Sequence, residues 1–136
     1  MKLINGRGRL GEELKKYNNN SKTIVYHTWN MIDKSEEAQK KCYLDFVDFV
    51  NKNKSEKIIF ISTDEISDKP YSYYKHKSEE YLIEHNKKGI VMRFPIFTGN
   101  GMFYTIFVKI CKILLQLSKI RIISPKNAAK QIVSKL

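Results

Sequence analysis

The groups in this chain best suited to chemistry are a threonine at the end of an apolar run and a Tyr-x-x-x-Lys pair just beyond it. The run is Ile58-Ile59-Phe60-Ile61, followed by the polar cluster Ser62-Thr63-Asp64-Glu65, and the pair is Tyr71 and Lys75, entered through Pro70. A hydroxyl at the carboxyl end of a strand, facing a phenol and an ammonium one helical turn apart, can hold a carbonyl and protonate it. A phenol with an ordinary pKa of about 10 is a poor acid–base group near neutrality. An ammonium four residues along the same helix face is expected to favour phenolate and lower that value. Tyr73 and Lys77 repeat the spacing and compete for the role.

The elements that must position these groups follow from patterning. Residues 57–61 read as a buried strand and 71–86 as a helix, with a second Lys-Lys-Gly stop signal at 87–89 and a further strand at 90–94. Upstream, residues 2–5 form a short strand running into Gly6-Arg7-Gly8-Arg9-Leu10-Gly11, an intact G-x-G-x-x-G, and a helix over 12–17. Glycines there permit a tight turn and let backbone N–H groups approach a pyrophosphate at the helix start. Arg7 and Arg9 are either phosphate-facing charges or solvated arginines of a surface loop. A polar linker at 18–22 leads to a strand at 23–27 that ends in His27-Thr28-Trp29. A second Rossmann strand that serves NAD usually ends in a carboxylate for the ribose. None is present, so either the cofactor is NADP, which is slightly favoured over NAD, or this strand is not the second.

Asp33 and Glu36 fit a capping box for a helix whose Ala38, Cys42, Phe46, Phe49 and Val50 share one face. Strands alternating with helices predict an α/β fold: a Rossmann-like three-layer αβα arrangement with a mainly parallel sheet, reduced in strand number, and right-handed crossovers. Ligands in such sheets lie beyond the carboxyl ends of the strands, where 6–11, 27–29, 62–65 and 95–99 are expected to converge. The apolar run 102–117 is too short and interrupted to span a bilayer. Its polar stripe fits core burial or a subunit contact better than a membrane surface. A last strand at 119–123 and a helix from Pro125, with Ala128, Ala129, Ile132 and Val133 inward, complete the chain.

A chain of 136 residues with 42% hydrophobic residues predicts one globular domain, 1–136. The net charge of +11 is spread over scattered lysines, so a nucleic-acid-binding role rests on charge alone and is not favoured. Cys42 and Cys111 lack C-x-x-C spacing and read as reduced core residues of a cytoplasmic protein. The three histidines fall in different elements, and no metal site or signal peptide is expected.

The strings GRGRLGEEL, IIFISTDE, PYSYYKHKSEEYL and GIVMRFPIFTGNG, in that order, resemble the short-chain dehydrogenase/reductases that act on nucleotide sugars. Among them the chain is most similar to the dTDP-4-dehydrorhamnose reductases. The resemblance selects Tyr71/Lys75 over Tyr73/Lys77, because Pro70 and Glu79 take the family's flanking positions. It implies Thr63, Tyr71 and Lys75 as the catalytic set: Thr63 orients the substrate carbonyl, Tyr71 gives the proton, and Lys75 hydrogen-bonds the nicotinamide ribose. It further implies that Gly6, Arg7, Gly8, Arg9, Leu10, Gly11, His27, Thr28, Ser62, Tyr71, Lys75, Phe94, Pro95 and Ile96 bind NAD or NADP, and that Arg93 is structural. The implied activity is an NAD(P)-dependent reductase or epimerase acting on a nucleotide-linked keto sugar in surface polysaccharide synthesis. A homodimer, if formed, would use residues 71–84 or 102–117.

The chain also departs from that pattern. Full-length relatives carry an extra strand and helix after the glycine turn, so 23–29 could stand at their third strand instead of their second. Only seven residues separate Thr63 from Tyr71, and Glu65 replaces the reductases' aromatic, as in sugar-nucleotide 4,6-dehydratases. A catalytically reduced relative that binds a dinucleotide or a partner is the alternative these departures raise.

Overall fold

The computed structural model describes residues 2–4, 12, 14–16, 22–94, 96–97, 122–123 and 125–135; for residues 96, 97, 122, 123, 125, 126 and 128 it describes the backbone alone. The glycine turn at 6–11, Pro95 and the apolar run 102–117 lie outside the described residues. Four strands form one parallel sheet in the order β1-β2-β3-β4: β1 (Lys2–Ile4), β2 (Ile24–Tyr26), β3 (Ile58–Thr63) and β4 (Ile90–Phe94). A separate parallel pair joins β5 (Ile96–Phe97) to β6 (Ile122–Ile123). Helix α1 (Glu36–Lys52) links β2 to β3, α2 (Pro70–His85) links β3 to β4, and α3 (Pro125–Val133) follows β6.

Alternation along the strands divides the core in two. Tyr26, Phe46, Val50, Ile58, Phe60 and Leu82 fill one side, under α1 and α2. Leu14, Val25, Ile59, Ile61, Phe94, Ala129 and Ile132 fill the other, under α3. This is the expected three-layer α/β sheet.

The strand order decides a question the sequence left open. A doubly wound dinucleotide fold has the order 3-2-1-4-5-6. Here the strand beside β1 is β2, and β3 and β4 follow outward on the same side, so β2 takes the fourth position, neither the second nor the third. Only residues 5–23 separate β1 from β2, too few for two further strands and their helices. The missing carboxylate after β2 therefore says nothing about NADP against NAD, because among the described residues no strand stands in the position that would carry it. Leu14, in the first connection, packs on the face opposite α1 and α2.

Local signals moved several boundaries. Asp33 is not the helix cap: its carboxylate accepts from Ser35 N at 2.9 Å, and Ser35 Oγ caps α1 by accepting from Ala38 N at 3.3 Å. Helix α2 starts one residue early because Pro70 suits the first helical position, where no N–H is needed. Its end is closed by Asn86 N donating to Leu82 O. Gly89 then passes so close that an added Cβ would lie 2.7 Å from Leu82 Cγ, which demands a glycine there. Strand β3 runs to Thr63, beyond the expected Ile61, because pairing with β4 continues to Thr63 and Phe94.

Candidate active site

The site is built at the tip of β3. Ile58 to Ile61 are buried on both faces, so the strand is fixed as an apolar run up to its polar end. Pairing with β2 stops at Phe60, while pairing with β4 continues to Thr63. Ile61 thus stands one residue beyond its last β2 partner, and its carbonyl accepts from Lys75 Nζ at 2.7 Å. The ammonium lies 4.6 Å from the Trp29 ring centroid and 4.8 Å from that of Phe60. Burial pushes the Lys75 pKa down to about 7. His27, half-buried just past β2, is pushed down to about 4 by burial and by Lys75, so its imidazole is neutral near pH 7.

Tyr71, in the first turn of α2, meets the tip of β3 from the other side. The Thr63 side chain stands near enough to its phenol to favour ionisation, without a hydrogen bond of ordinary geometry between them. Thr63 Oγ1 accepts from Glu65 N at 3.1 Å. Burial, then the Glu65 charge, push the Tyr71 pKa up to about 12 against the opposing effect of Thr63. The expected lowering by Lys75 is therefore corrected: that ammonium is turned into the sheet toward Ile61 and is close to half-neutral at pH 7. The cation nearest the phenol ring is Lys34, whose Nζ stands 3.7 Å from its centroid. A pocket of about 180 Å³ opens beside it, lined by Lys34, Glu65, Lys69 and Tyr71.

The competing pair faces elsewhere. Tyr73 is 54% exposed, and Lys77 Nζ reaches toward the Tyr43 ring of α1 at 5.1 Å.

The other cofactor candidates are distributed unevenly. Thr28 Oγ1 donates to Ile4 O at 3.4 Å, tying the end of β2 to β1. Ser62 is buried toward α2; its hydroxyl makes no hydrogen bond of ordinary geometry yet stands near enough to Glu79 to stabilise its carboxylate. Phe94 is packed in the core beneath α3, level with Thr63 at the end of β4. Ile96 is described by its backbone in β5. Gly6, Arg7, Gly8, Arg9, Leu10, Gly11 and Pro95 fall outside the described residues. Among the described residues no group of three His, Cys, Asp or Glu could hold a metal ion.

Two arrangements escaped the sequence. Gln39, fully buried in α1, donates to Asn30 O at 3.0 Å and to Asp33 O at 2.5 Å, and accepts from Trp29 Nε1 at 2.7 Å. It fixes the loop that lays Trp29 over Lys75 and brings Lys34 to Tyr71. Its signal was available: Gln39 occupies the same helical stripe as Cys42, Phe46 and Val50, where a polar residue calls for a reason. The second is Glu79, buried in α2, whose carboxylate receives Arg93 Nε at 3.0 and 3.1 Å and lies 3.3 Å from His76 Nδ1. Burial works to raise its pKa, but Arg93, Ser62 and His76 outweigh it and hold the carboxyl below the usual range.

The donor set fits one half of a dinucleotide. Thr63 and Tyr71 lie together at the tip of β3, while Lys75 would have to exchange its bond to Ile61 O for one to a nicotinamide ribose. The second and third strand positions, which flank the adenosine half in a doubly wound sheet, have no counterpart among the described residues.

No family model matches the chain, and no curated protein matches it. Among solved structures it is similar to a dTDP-4-dehydrorhamnose reductase of Clostridium acetobutylicum ATCC 824, with a TM-score of 0.62 at 18% identity over 83% of this chain. The match spans 60% of that protein's length. The likeness, taken with the parallel sheet under helices on both faces, establishes the fold as Rossmann-like α/β.

Proposed function

We propose that the chain is a reductase-type protein acting on a nucleotide-linked keto sugar with NAD or NADP, in cytoplasmic surface-polysaccharide synthesis. One observation carries this reading: the Tyr71 phenol lies beside the Thr63 side chain at the tip of β3, with Lys75 one turn further along the same helix. When bound, a reduced nicotinamide supplies a hydride to the substrate carbonyl carbon. The chain's own groups do the rest. Thr63 holds the carbonyl oxygen, Tyr71 Oη passes its proton to that oxygen, and Lys75 holds the ribose. Burial keeps Tyr71 protonated as the chain stands, which suits a proton donor.

The single experiment is hydride transfer from NADH and NADPH to dTDP- and UDP-linked 4-keto sugars, followed by loss of nicotinamide fluorescence. Turnover that disappears in Tyr71→Phe is the expected result; equal turnover in that variant removes Tyr71 from the mechanism. A second reading has its own support in the sheet, which among the described residues lacks the strands for the adenosine half. It makes the chain a binding relative without turnover. Saturable NAD(P)H binding with no transfer to any keto sugar would favour it.

A further inference from the structure

The pocket beside Tyr71 carries an excess of positive charge. Lys34 and Lys69 both line it, and neither makes an ion pair among the described residues, whereas the exposed lysines 41 and 52 of α1 pair with Asp45 and Asp48 at 3.0 and 2.6 Å. The pocket's one carboxylate, Glu65, lies close enough for its charge to act on Lys34, and its Oε1 also accepts from Ser67 Oγ at 3.0 Å. With two ammonium groups against one carboxylate, the pocket keeps a net positive charge.

Neither wall is free to drift. The loop that carries Lys34 is held by Gln39 through Asn30 O and Asp33 O, the second adjacent to Lys34 itself. The wall that carries Glu65 is folded onto α2, because Glu65 O accepts from Ser72 Oγ at 2.6 Å and bonds His76 Nε2 at 2.9 Å. Lys69 is the residue that begins α2, and its carbonyl accepts from Tyr73 N at 3.0 Å. The backbone at both lysines is thus held, and Lys34 Nζ stands 3.7 Å from the centroid of the Tyr71 ring. Charge-assisted contacts from such groups suit phosphoryl oxygens.

We propose that Lys34 and Lys69 form an anion clamp that receives the phosphoryl group carried by the substrate beside Tyr71. This deepens the reductase reading and rests on it for the word substrate, but the clamp itself is a binding property. It assigns the sugar-phosphate end of the ligand to the loop after β2 and the start of α2, and leaves the strand tip to the carbonyl.

The test uses the full chain and two probes, inorganic pyrophosphate and dTDP, with calorimetry and the emission of Trp29, the single tryptophan, as readouts. Saturable dTDP binding, competed by pyrophosphate, is expected to weaken about tenfold in Lys34→Gln and several-fold in Lys69→Gln, roughly the loss of one charge-assisted contact each. Lys41→Gln is the control for net charge and should bind as wild type does, with circular dichroism confirming that each variant folds. Unchanged affinity in the Lys34→Gln/Lys69→Gln double variant, an equal loss in Lys41→Gln, or dTDP binding that pyrophosphate cannot displace would each overturn the clamp. So would the absence of saturable binding by the wild-type chain. Hydride transfer is assayed separately. Lys34-dependent dTDP binding without any turnover would defeat the reductase reading and leave the clamp standing; turnover whose KM is unmoved in Lys34→Gln would defeat the clamp alone.

Discussion

The Lys75 ammonium donates to the Ile61 carbonyl at 2.7 Å, filling the notch where β2 leaves β3. Burial lowers its pKa from 10.5 to about 7. Between those values the unfolded chain binds more protons at this residue than the folded chain, so stability rises with pH across the window. Below about pH 7 the destabilisation is complete. The unfolding free energy in urea is therefore expected to climb between pH 7 and 10 by up to about 1.4 kcal/mol per pH unit, and Lys75→Met should flatten the climb. A wild-type slope that survives in Lys75→Met would show that this lysine is not its source.

His27 acts in the same direction at lower pH. Its folded pKa of about 4 lies below the ordinary 6.5, so stability contributed above 6.5 is lost as pH falls toward 4. Acid titration of His27→Gln should show an unfolding midpoint shifted to lower pH. The shift of about 2.5 units corresponds to roughly 3 kcal/mol at its fullest.

Tyr71 and Tyr26 are both pushed up to about 12 by burial. Ultraviolet titration of the chain should resolve a late-ionising class of tyrosines, and Tyr71→Phe should remove one member of it. Glu65→Gln should bring Tyr71 down, since the Glu65 charge opposes its ionisation. In the hydride-transfer assay Tyr71→Phe is expected to cost about 10²- to 10⁴-fold in kcat while NAD(P)H affinity stays unchanged.

Arg93 lies exposed over a carboxylate that is not. Its loss in Arg93→Ala would leave Glu79 buried against Ser62, with Lys75 and His76 as its remaining basic neighbours among the described residues. Thermal and urea unfolding should show a cost of about 2 kcal/mol, tempered because the guanidinium side is open to solvent. Adding Glu79→Gln should recover part of that cost, and a double-mutant cycle would measure the coupling.

Gln39 holds three backbone and side-chain partners in one loop. Gln39→Leu keeps the volume and leaves two carbonyls and the Trp29 N–H without this partner, at an expected cost of about 2–3 kcal/mol. Trp29 emission should shift, because the ring no longer has a fixed seat over Lys75. If stability falls with no change in emission, the network serves packing of α1 alone.

Local patterning made most of the elements legible. The apolar run of β3, the Pro70 start and Gly89 stop of α2, and the stripe of Phe46 and Val50 each follow from steric or periodic rules that act within a few residues. So did the meeting of Thr63 with Tyr71, since a strand end and the helix start that follows it can only lie close together across so short a loop. Gln39 was legible in principle, because a polar residue on the stripe of Cys42, Phe46 and Val50 needs a partner there, which Trp29 supplies.

What the amino-acid order determined on its own is a strand–helix alternation with a hydroxyl, a phenol and an amine at one sheet edge. Which strand lies beside β1, where the Lys75 amine points, and which cation covers Tyr71 were decided only by the tertiary structure. Strand neighbours, carbonyls left open where a strand diverges, and the burial that moves a pKa are set by segments distant in the chain, and no spacing rule within the sequence reaches that far.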